Sequence, residues 1–161
     1  DGHLNTGIFA TGLFFEVLCD NGMAEEADAA MTKRDYPGFG WWIEQGARTM
    51  WEQWNGGNSH NHPMFGSALT WFYRQVAGMR EDESQTGYRN IIFSPMPCGD
   101  LTWAVYQNRT PYGKARIRWD ITDGVMHAKI TVPVGCTATV NIPQPDGSVK
   151  TTEVGSGVYE F

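Results

Sequence analysis

Residues 115–132 read ARIRWDITDGVMHAKITV, with apolar and polar side chains alternating on both sides of Asp123-Gly124. A period of two places every second side chain on the same face of a β-strand. Asp-Gly is a preferred pair for a two-residue hairpin turn. The stretch therefore predicts two antiparallel strands joined by a tight turn, with Trp119 and Ile130 facing a core.

More short strands are predicted after this hairpin. Ala138, Val140 and Ile142 alternate with polar residues, Asp146-Gly147 supplies another turn, and residues 158–161 form a last strand. Short antiparallel strands that follow one another at this spacing favour a β-sandwich. We therefore predict an antiparallel β-sandwich in this part of the chain.

The chain before residue 90 has helical periodicity. Residues 6–21 are apolar on nearly every side, and a helix of this kind must be covered on more than one side. Residues 24–33 predict a second helix, with acidic side chains in its first turn and Lys33 near its end, as the helix dipole favours. A short helical turn is predicted at residues 41–45.

A further helix is predicted behind Pro63, which suits a first helical turn. Four apolar residues recur there at helical spacing: Phe65, Leu69, Phe72 and Val76. The polar segment 80–89 has the composition of a connector. Together the patterns predict an α+β chain with a helical domain at residues 1–89 and a sandwich domain at residues 90–161.

Composition and charge narrow the function classes. The net charge is −6 and no basic stretch is present, which disfavours a nucleic-acid partner. No apolar run reaches the roughly 18 residues that a membrane span needs. The three cysteines have no metal-ligand spacing and are predicted to be buried or free thiols. The cysteines do not decide the compartment. For the protein as a whole we expect the periplasm or secretion rather than the cytoplasm.

Residues 45–62 carry the candidate site. Glu52 lies between Trp51 and Trp54, and a glycine-rich turn leads from there to Asn61-His62. An aromatic face can stack on a sugar ring while fixed polar groups bind its hydroxyls and one carboxylate handles protons. The stretch favours a carbohydrate site in which Glu52 is the reactive group.

The same residues also have plainer interpretations. Glu52 could be a half-buried carboxylate that accepts a hydrogen bond from an indole N–H, and the Trp41-Trp42 pair could belong to the core. Glu44 is a competing acid, but we expect it to pair with Arg48 one turn later.

The histidines do not predict a metal centre. A site made of His3, His60 and His62 is disfavoured because His60 and His62 would point to opposite sides of an extended chain. No acidic or cysteine partner lies close to them in the sequence. We therefore predict no metal and no cofactor.

An ordered set of motifs resembles one family. In the helical part the motifs are GHLNTG at 2–7, YPGFG at 36–40, IEQGA at 43–47, WEQW at 51–54 and SHNHPMFG at 59–66. In the strand-rich part they are IIFSP at 91–95, TPYG at 110–113 and GSGVYEF at 155–161. In this order they resemble bacterial α-L-rhamnosidases of glycoside hydrolase family 78, from the end of the catalytic helical barrel through the β-sandwich that follows it.

The resemblance implies a partial (α/α)6 barrel followed by the sandwich. It also implies a hydrolase that removes terminal α-L-rhamnosyl residues from glycosides or polysaccharides by inversion, with Glu52 as the general base that activates water. His62 is implied as a sugar contact. Trp51, Trp54 and Trp42 become candidates for the wall of the sugar site.

The family's general acid lies upstream, in a segment that this chain does not include. We therefore expect a C-terminal fragment that carries the base without the acid, is inactive alone and has the N-terminal part of the barrel as its partner. Two positions depart from the family pattern. Asn5 stands where aspartate is usual, and Pro63-Met64 follows His62 where Tyr-Ala is common.

Two other function classes stay open. A non-catalytic carbohydrate-binding or structural module would use the face of the sandwich, with Tyr106, Tyr112 and Tyr159 as candidate contacts. A helical-barrel glycosidase for a different sugar would keep the same carboxylate chemistry, since one fold hosts many specificities.

Overall fold

The computed structural model describes residues 2–161. They form two compact units that divide between Trp71 and Phe72. The first unit is helical and the second contains two β-sheets, so the predicted α+β class is confirmed. Within residues 2–161, no helix has the length and apolarity needed to cross a membrane.

The helical unit contains three short α-helices and a 3-10 helix. They are α1 (Thr11–Asp20), α2 (Ala24–Thr32), α3 (Phe39–Glu44) and the 3-10 helix Pro63–Leu69. α1 ends where Gly22 turns the chain at φ 75° and donates its N–H to the carbonyl oxygen of Cys19. A glycine in this left-handed conformation is a common helix terminator. Pro63 lies in the first turn of its helix, as predicted.

α1 is covered on one side, so the prediction that it is covered on more than one side is wrong for the described part of the chain. Its buried residues form a single stripe at four-residue spacing: Thr11, Phe15 and Cys19. Gly12 allows the close approach of the 3-10 helix, because a Cβ at this position would lie 2.7 Å from Oγ of Ser67. The opposite side of α1 exposes apolar side chains.

The helix predicted from Pro63 through Val76 is helical but not α-helical. After the 3-10 helix the chain continues as a π-helix, Phe72–Val76. Phe65 and Val76 are buried, whereas Phe72 is exposed. The 3-10 and π geometries have tighter and wider turns than an α-helix, so residues spaced for an α-helical stripe do not stay on one side.

The second unit is a sandwich of two four-stranded sheets. Its strands are β1 (Met79–Glu81), β2 (Asn90–Phe93), β3 (Trp103–Thr110), β4 (Gly113–Thr122), β5 (Val125–Val132), β6 (Thr137–Pro143), β7 (Val149–Val154) and β8 (Gly157–Glu160). The sheet orders are β1-β2-β6-β7 and β3-β4-β5-β8. β1 lies partly in the segment predicted as a connector and pairs with β2. The domain boundary predicted between residues 89 and 90 stays a prediction.

The hairpin predicted at residues 115–132 is confirmed. β4 and β5 pair antiparallel around Asp123 and Gly124, whose φ angles of 51° and 77° suit a tight hairpin turn. The prediction of antiparallel pairing fails at one place, because β2 and β6 are parallel with Asn90 opposite Thr137. The hydroxyl of Thr137 donates to the side-chain oxygen of Asn90 at 2.9 Å. Parallel neighbours need a long connection, which β3, β4 and β5 provide here.

Trp119 anchors the core of the sandwich. It is fully buried, and its indole N–H donates to the carbonyl oxygen of Val76 at 3.1 Å. We expect Trp119→Phe to destabilise the sandwich by about 2–3 kcal/mol, because it creates a void and removes the indole donor, which leaves that carbonyl only the longer bond of 3.4 Å from the N–H of Met96. Urea denaturation, monitored through hydrogen exchange of the backbone amides in β4 and β5, measures this loss in the free energy of unfolding.

The matched control for this prediction is Trp103→Phe. Trp103 is exposed, so the same substitution there should change stability by no more than about 0.5 kcal/mol. Equal losses in the two variants would contradict the anchoring role of Trp119.

Candidate active site

The loop formed by residues 49–62 is closed by backbone hydrogen bonds. The N–H of His62 donates to the carbonyl oxygen of Met50 at 2.8 Å. The N–H of Glu52 donates to the carbonyl oxygen of Ser59 at 2.9 Å. These two bonds hold the two arms of the loop together, although the segment between them forms only turns and bends.

Both oxygens of the Glu52 carboxylate accept hydrogen bonds from this loop. Oε2 accepts from the backbone N–H of Ser59 at 3.1 Å, and Oε1 accepts from the side-chain amide of Asn58 at 3.3 Å. Asn58 has a left-handed backbone with φ 60°, a conformation that asparagine tolerates better than most residues. The half-buried carboxylate is therefore held in one orientation, and a carboxylate has acceptor positions left for a further donor such as water.

Trp42 and Trp54 are core residues of the helical unit. The Trp42 side chain is 2% exposed, and its ring centroid lies 4.6 Å from that of Trp54. The N–H of Trp42 donates to the carbonyl oxygen of Trp54, and the N–H of Trp54 donates to that of Thr6, each at 2.9 Å. These N–H groups are therefore not the donors to Glu52. Direct sugar contact by either ring stays a prediction.

Trp51 is stacked on His60, a pairing that the sequence analysis missed. The ring centroids are 4.4 Å apart and the planes differ by 14°. Nε2 of His60 lies 2.8 Å from the carbonyl oxygen of Gly56. Gly56 has φ 76°, and a Cβ there would lie 3.0 Å from the Trp51 ring. Glycine at position 56 is the sequence signal for this close contact, but nothing local identifies its partner.

His62 precedes the 3-10 helix in an extended conformation, with φ −123° and ψ 107°. His62 therefore lies at the mouth of this helix and not inside it. Its Nδ1 atom is buried and has no hydrogen-bond partner among residues 2–161. Buried polar atoms are nearly always paired in native proteins, so this nitrogen is available to a group outside the described residues.

The other candidate groups have partners of their own. Glu44 lies 3.6 Å from a guanidinium nitrogen of Arg34, so the predicted pairing with Arg48 is wrong. Nε2 of His3 lies 2.9 Å from a carboxylate oxygen of Asp35, and the hydrogen bond from this histidine lowers the pKa of Asp35. Across residues 2–161, no three side chains of metal-ligating type come together.

Two family models match the chain in sequence order. The model for the bacterial alpha-L-rhamnosidase 6 hairpin glycosidase domain matches residues 1–76, and the model for the bacterial alpha-L-rhamnosidase C-terminal domain matches residues 78–157. The helical unit thus matches a glycosidase domain, and the sandwich unit matches a C-terminal domain. An alpha-L-rhamnosidase of Streptomyces avermitilis is 33% identical over 99% of this chain, and one of Formosa agariphila is 33% identical over 89%. The chain belongs to the bacterial α-L-rhamnosidase family.

Solved structures agree with the sequence relatives. The alpha-L-rhamnosidase from Dictyoglumus thermophilum matches all of this chain with a TM-score of 0.91 and 38% identity. The Streptomyces avermitilis enzyme, solved in complex with L-rhamnose, matches all of it with a TM-score of 0.92 and 32% identity. The chain covers 21% and 18% of those two structures, and 17% and 16% of the two curated relatives. The predicted partial helical barrel with a following β-sandwich is confirmed.

The Trp51–His60 stack depends on Gly56. We expect Gly56→Ala to destabilise the helical unit by about 1–2 kcal/mol, because alanine is strained at positive φ and its Cβ meets the Trp51 ring. The displaced indole should also change the near-ultraviolet circular dichroism spectrum.

Gly46→Ala is the control for the ring contact. Gly46 has φ 82°, but nothing lies within 4 Å of a Cβ at this position. The control should lose stability through backbone strain alone and keep the wild-type aromatic spectrum. An unchanged spectrum in Gly56→Ala would contradict the described contact.

Proposed function

We propose that this chain is the C-terminal part of an enzyme that hydrolyses terminal α-L-rhamnosyl residues with inversion, and that Glu52 is its general base. The observation that carries the proposal is the fixed Glu52 carboxylate, which two donors from its own loop hold beside a tryptophan-rich wall. The family membership supports the reaction class. The substrate would be a rhamnose-containing glycoside or polysaccharide.

In the proposed reaction, Glu52 accepts a proton from a water molecule as the water oxygen attacks the anomeric carbon. The bond from that carbon to the leaving oxygen breaks, and a second carboxyl group protonates the leaving oxygen. The hydrogen bonds from Asn58 and Ser59 give the base one orientation before substrate arrives. A base positioned in advance contributes to the rate because no reorganisation is needed during the reaction.

The second carboxyl group is proposed to lie in the remainder of the barrel. In inverting enzymes the two carboxyl groups are separated by roughly 6.5–9.5 Å, which leaves room for the water. Two acidic residues of the helical unit are already paired, Asp35 with His3 and Glu44 with Arg34. These pairings disfavour Asp35 and Glu44 as that acid.

The exposed side of α1 supports the same division of the barrel. Leu13 and Val17 are exposed and lie four residues apart, which places them on one side of α1, and Phe9 in the turn before the helix is exposed as well. An exposed apolar stripe of this kind marks a surface that another element covers. We propose that helices from the rest of the barrel cover it.

Sugar contacts are proposed for the residues around the base. The unpaired Nδ1 of His62 would bind a hydroxyl of the rhamnosyl ring. Trp51, stacked on His60, would form the near part of the wall. Trp54, which is 8% exposed like Trp51, would complete the wall, and Trp42, which is 2% exposed, would support it from behind.

Glu52→Gln in the complete enzyme tests the base. We expect kcat for an aryl α-L-rhamnoside to fall by about 10²–10⁴-fold, because an amide cannot accept the proton while its size and shape are retained. KM should change little. Steady-state kinetics on the purified enzyme measures both quantities.

Glu44→Gln is the matched control, because it makes the same change at a carboxylate paired with Arg34 and should leave the rate unaltered. The isolated 161-residue chain is a second arm and should show no turnover without the proton donor. A wild-type rate in Glu52→Gln would reject Glu52 as the base. Turnover by the isolated chain would instead contradict the proposal that the general acid lies outside this chain.

A further inference from the structure

The sheet β3-β4-β5-β8 displays a tryptophan on its outward face. Trp103, at the start of β3, is 60% exposed. It pairs in register with Asp120 of β4, which in turn pairs with His127 of β5. Side chains in register on neighbouring strands share a face of the sheet. Trp103, Asp120 and His127 therefore form one row across three strands.

A second row lies beside the first, two residues further along β3. It consists of Val105, Arg118, Lys129 and Glu160 on the four strands in order. Arg118 lies 3.6 Å from Asp120, and Lys129 lies 2.7 Å from Glu160. These contacts keep the charged groups close together on the face.

Members of the two rows line a groove of about 260 Å³. The lining residues are Arg118, Asp120, His127, Ala128, Lys129, Glu160 and Phe161. The volume lies just below the roughly 300–1,000 Å³ of most small-molecule sites. A groove of this size suits a single residue of a polymeric ligand. Trp103 lies beside the groove, because it pairs in register with Asp120.

The outward face is basic, although the whole chain has a net charge of −6. Two more register pairs extend it, Gln107 with Arg116 and Arg109 with Lys114. The face thus carries five cationic side chains of Lys or Arg and two carboxylates, those of Asp120 and Glu160. Charge complementarity favours an anionic ligand.

We propose that this face is a non-catalytic binding site for an acidic carbohydrate, with Trp103 against one sugar ring and Arg118 on a uronate carboxylate. The exposed indole supplies an apolar surface for the ring, and the neighbouring charged groups donate to and accept from its hydroxyls. The planar guanidinium matches a carboxylate with two parallel hydrogen bonds. The choice of a carbohydrate rests on the proposed function, whereas the position of the site does not.

The tyrosines named from the sequence are less suited to this role. Tyr106 is stacked on Tyr73, with ring centroids 4.8 Å apart, and Tyr159 is half-buried. Tyr112 is less exposed than Trp103 and follows the end of β3. Trp103 and the charged rows beside it are therefore the contacts that the structure favours.

Titration calorimetry of the 161-residue chain with polygalacturonate tests the site, with dextran as the uncharged polysaccharide. We expect polygalacturonate to bind, and to bind more weakly at high salt because exposed charges are screened. Trp103→Ala should weaken binding about three- to tenfold through the lost ring contact. Arg118→Ala should weaken it by a similar factor, and Arg118→Lys should restore only part of the affinity.

Val134→Ala and Lys150→Ala are the controls, because both residues are exposed and lie outside the two rows. They should bind polygalacturonate as the wild type does. The proposal is overturned if the wild type does not bind, if dextran binds equally well, or if the row variants and the controls behave alike. It is also overturned if Trp103→Ala converts a dimer to a monomer in sedimentation velocity, since the face would then be a contact between copies. None of these results depends on catalysis at Glu52.

Discussion

The hydrogen bonds between the Glu52 and Ser59 segments are the constraint on which the candidate site depends. The N–H of Glu52 donates to the carbonyl oxygen of Ser59, while the N–H of Ser59 donates to the carboxylate of Glu52. One residue thus closes the loop and also orients the carboxylate. Any change that opens the loop will therefore also release the Glu52 carboxylate.

The aromatic core attaches this loop to the helical unit. Trp42 and Trp54 bind backbone carbonyls through their N–H groups, and the Trp51 ring stacks on His60 from the other arm of the loop. Two kinds of contact therefore act together, because the backbone bonds close the loop and the rings fix its position. This division gives each of these three tryptophans a structural role in the helical unit.

Local signals were enough to predict the parts of the fold that local interactions determine. The Asp123-Gly124 hairpin follows from a turn pair and a period of two. The parallel pairing of β2 with β6 joins residues far apart in sequence and leaves no periodic signal. The apolar sequence of α1 led to a wrong prediction of its burial. The sequence of one helix shows that its sides are apolar, but not whether other residues of this chain cover each side.

The sequence named residues of the candidate site, but it did not give the contacts that these residues make in the structure. Glu52 and its two tryptophans were identified from residue types and from the family resemblance. The Trp51–His60 stack and the donors to the carboxylate depend on how the glycine-rich turn folds back, which requires the positive φ angles of Gly56 and Asn58. The sequence does not predict that Trp103 is exposed. Its place at the start of a strand does not show which face of the sheet other residues cover.

Chemical rescue of the complete enzyme tests the central claim most directly. Glu52→Ala removes the base and leaves space for azide, which can attack the anomeric carbon without losing a proton. If Glu52 is the general base of an inverting reaction, the rate of Glu52→Ala should rise with azide concentration and the product should be the β-L-rhamnosyl azide. No rise with azide, or a product with retained configuration, would contradict the account.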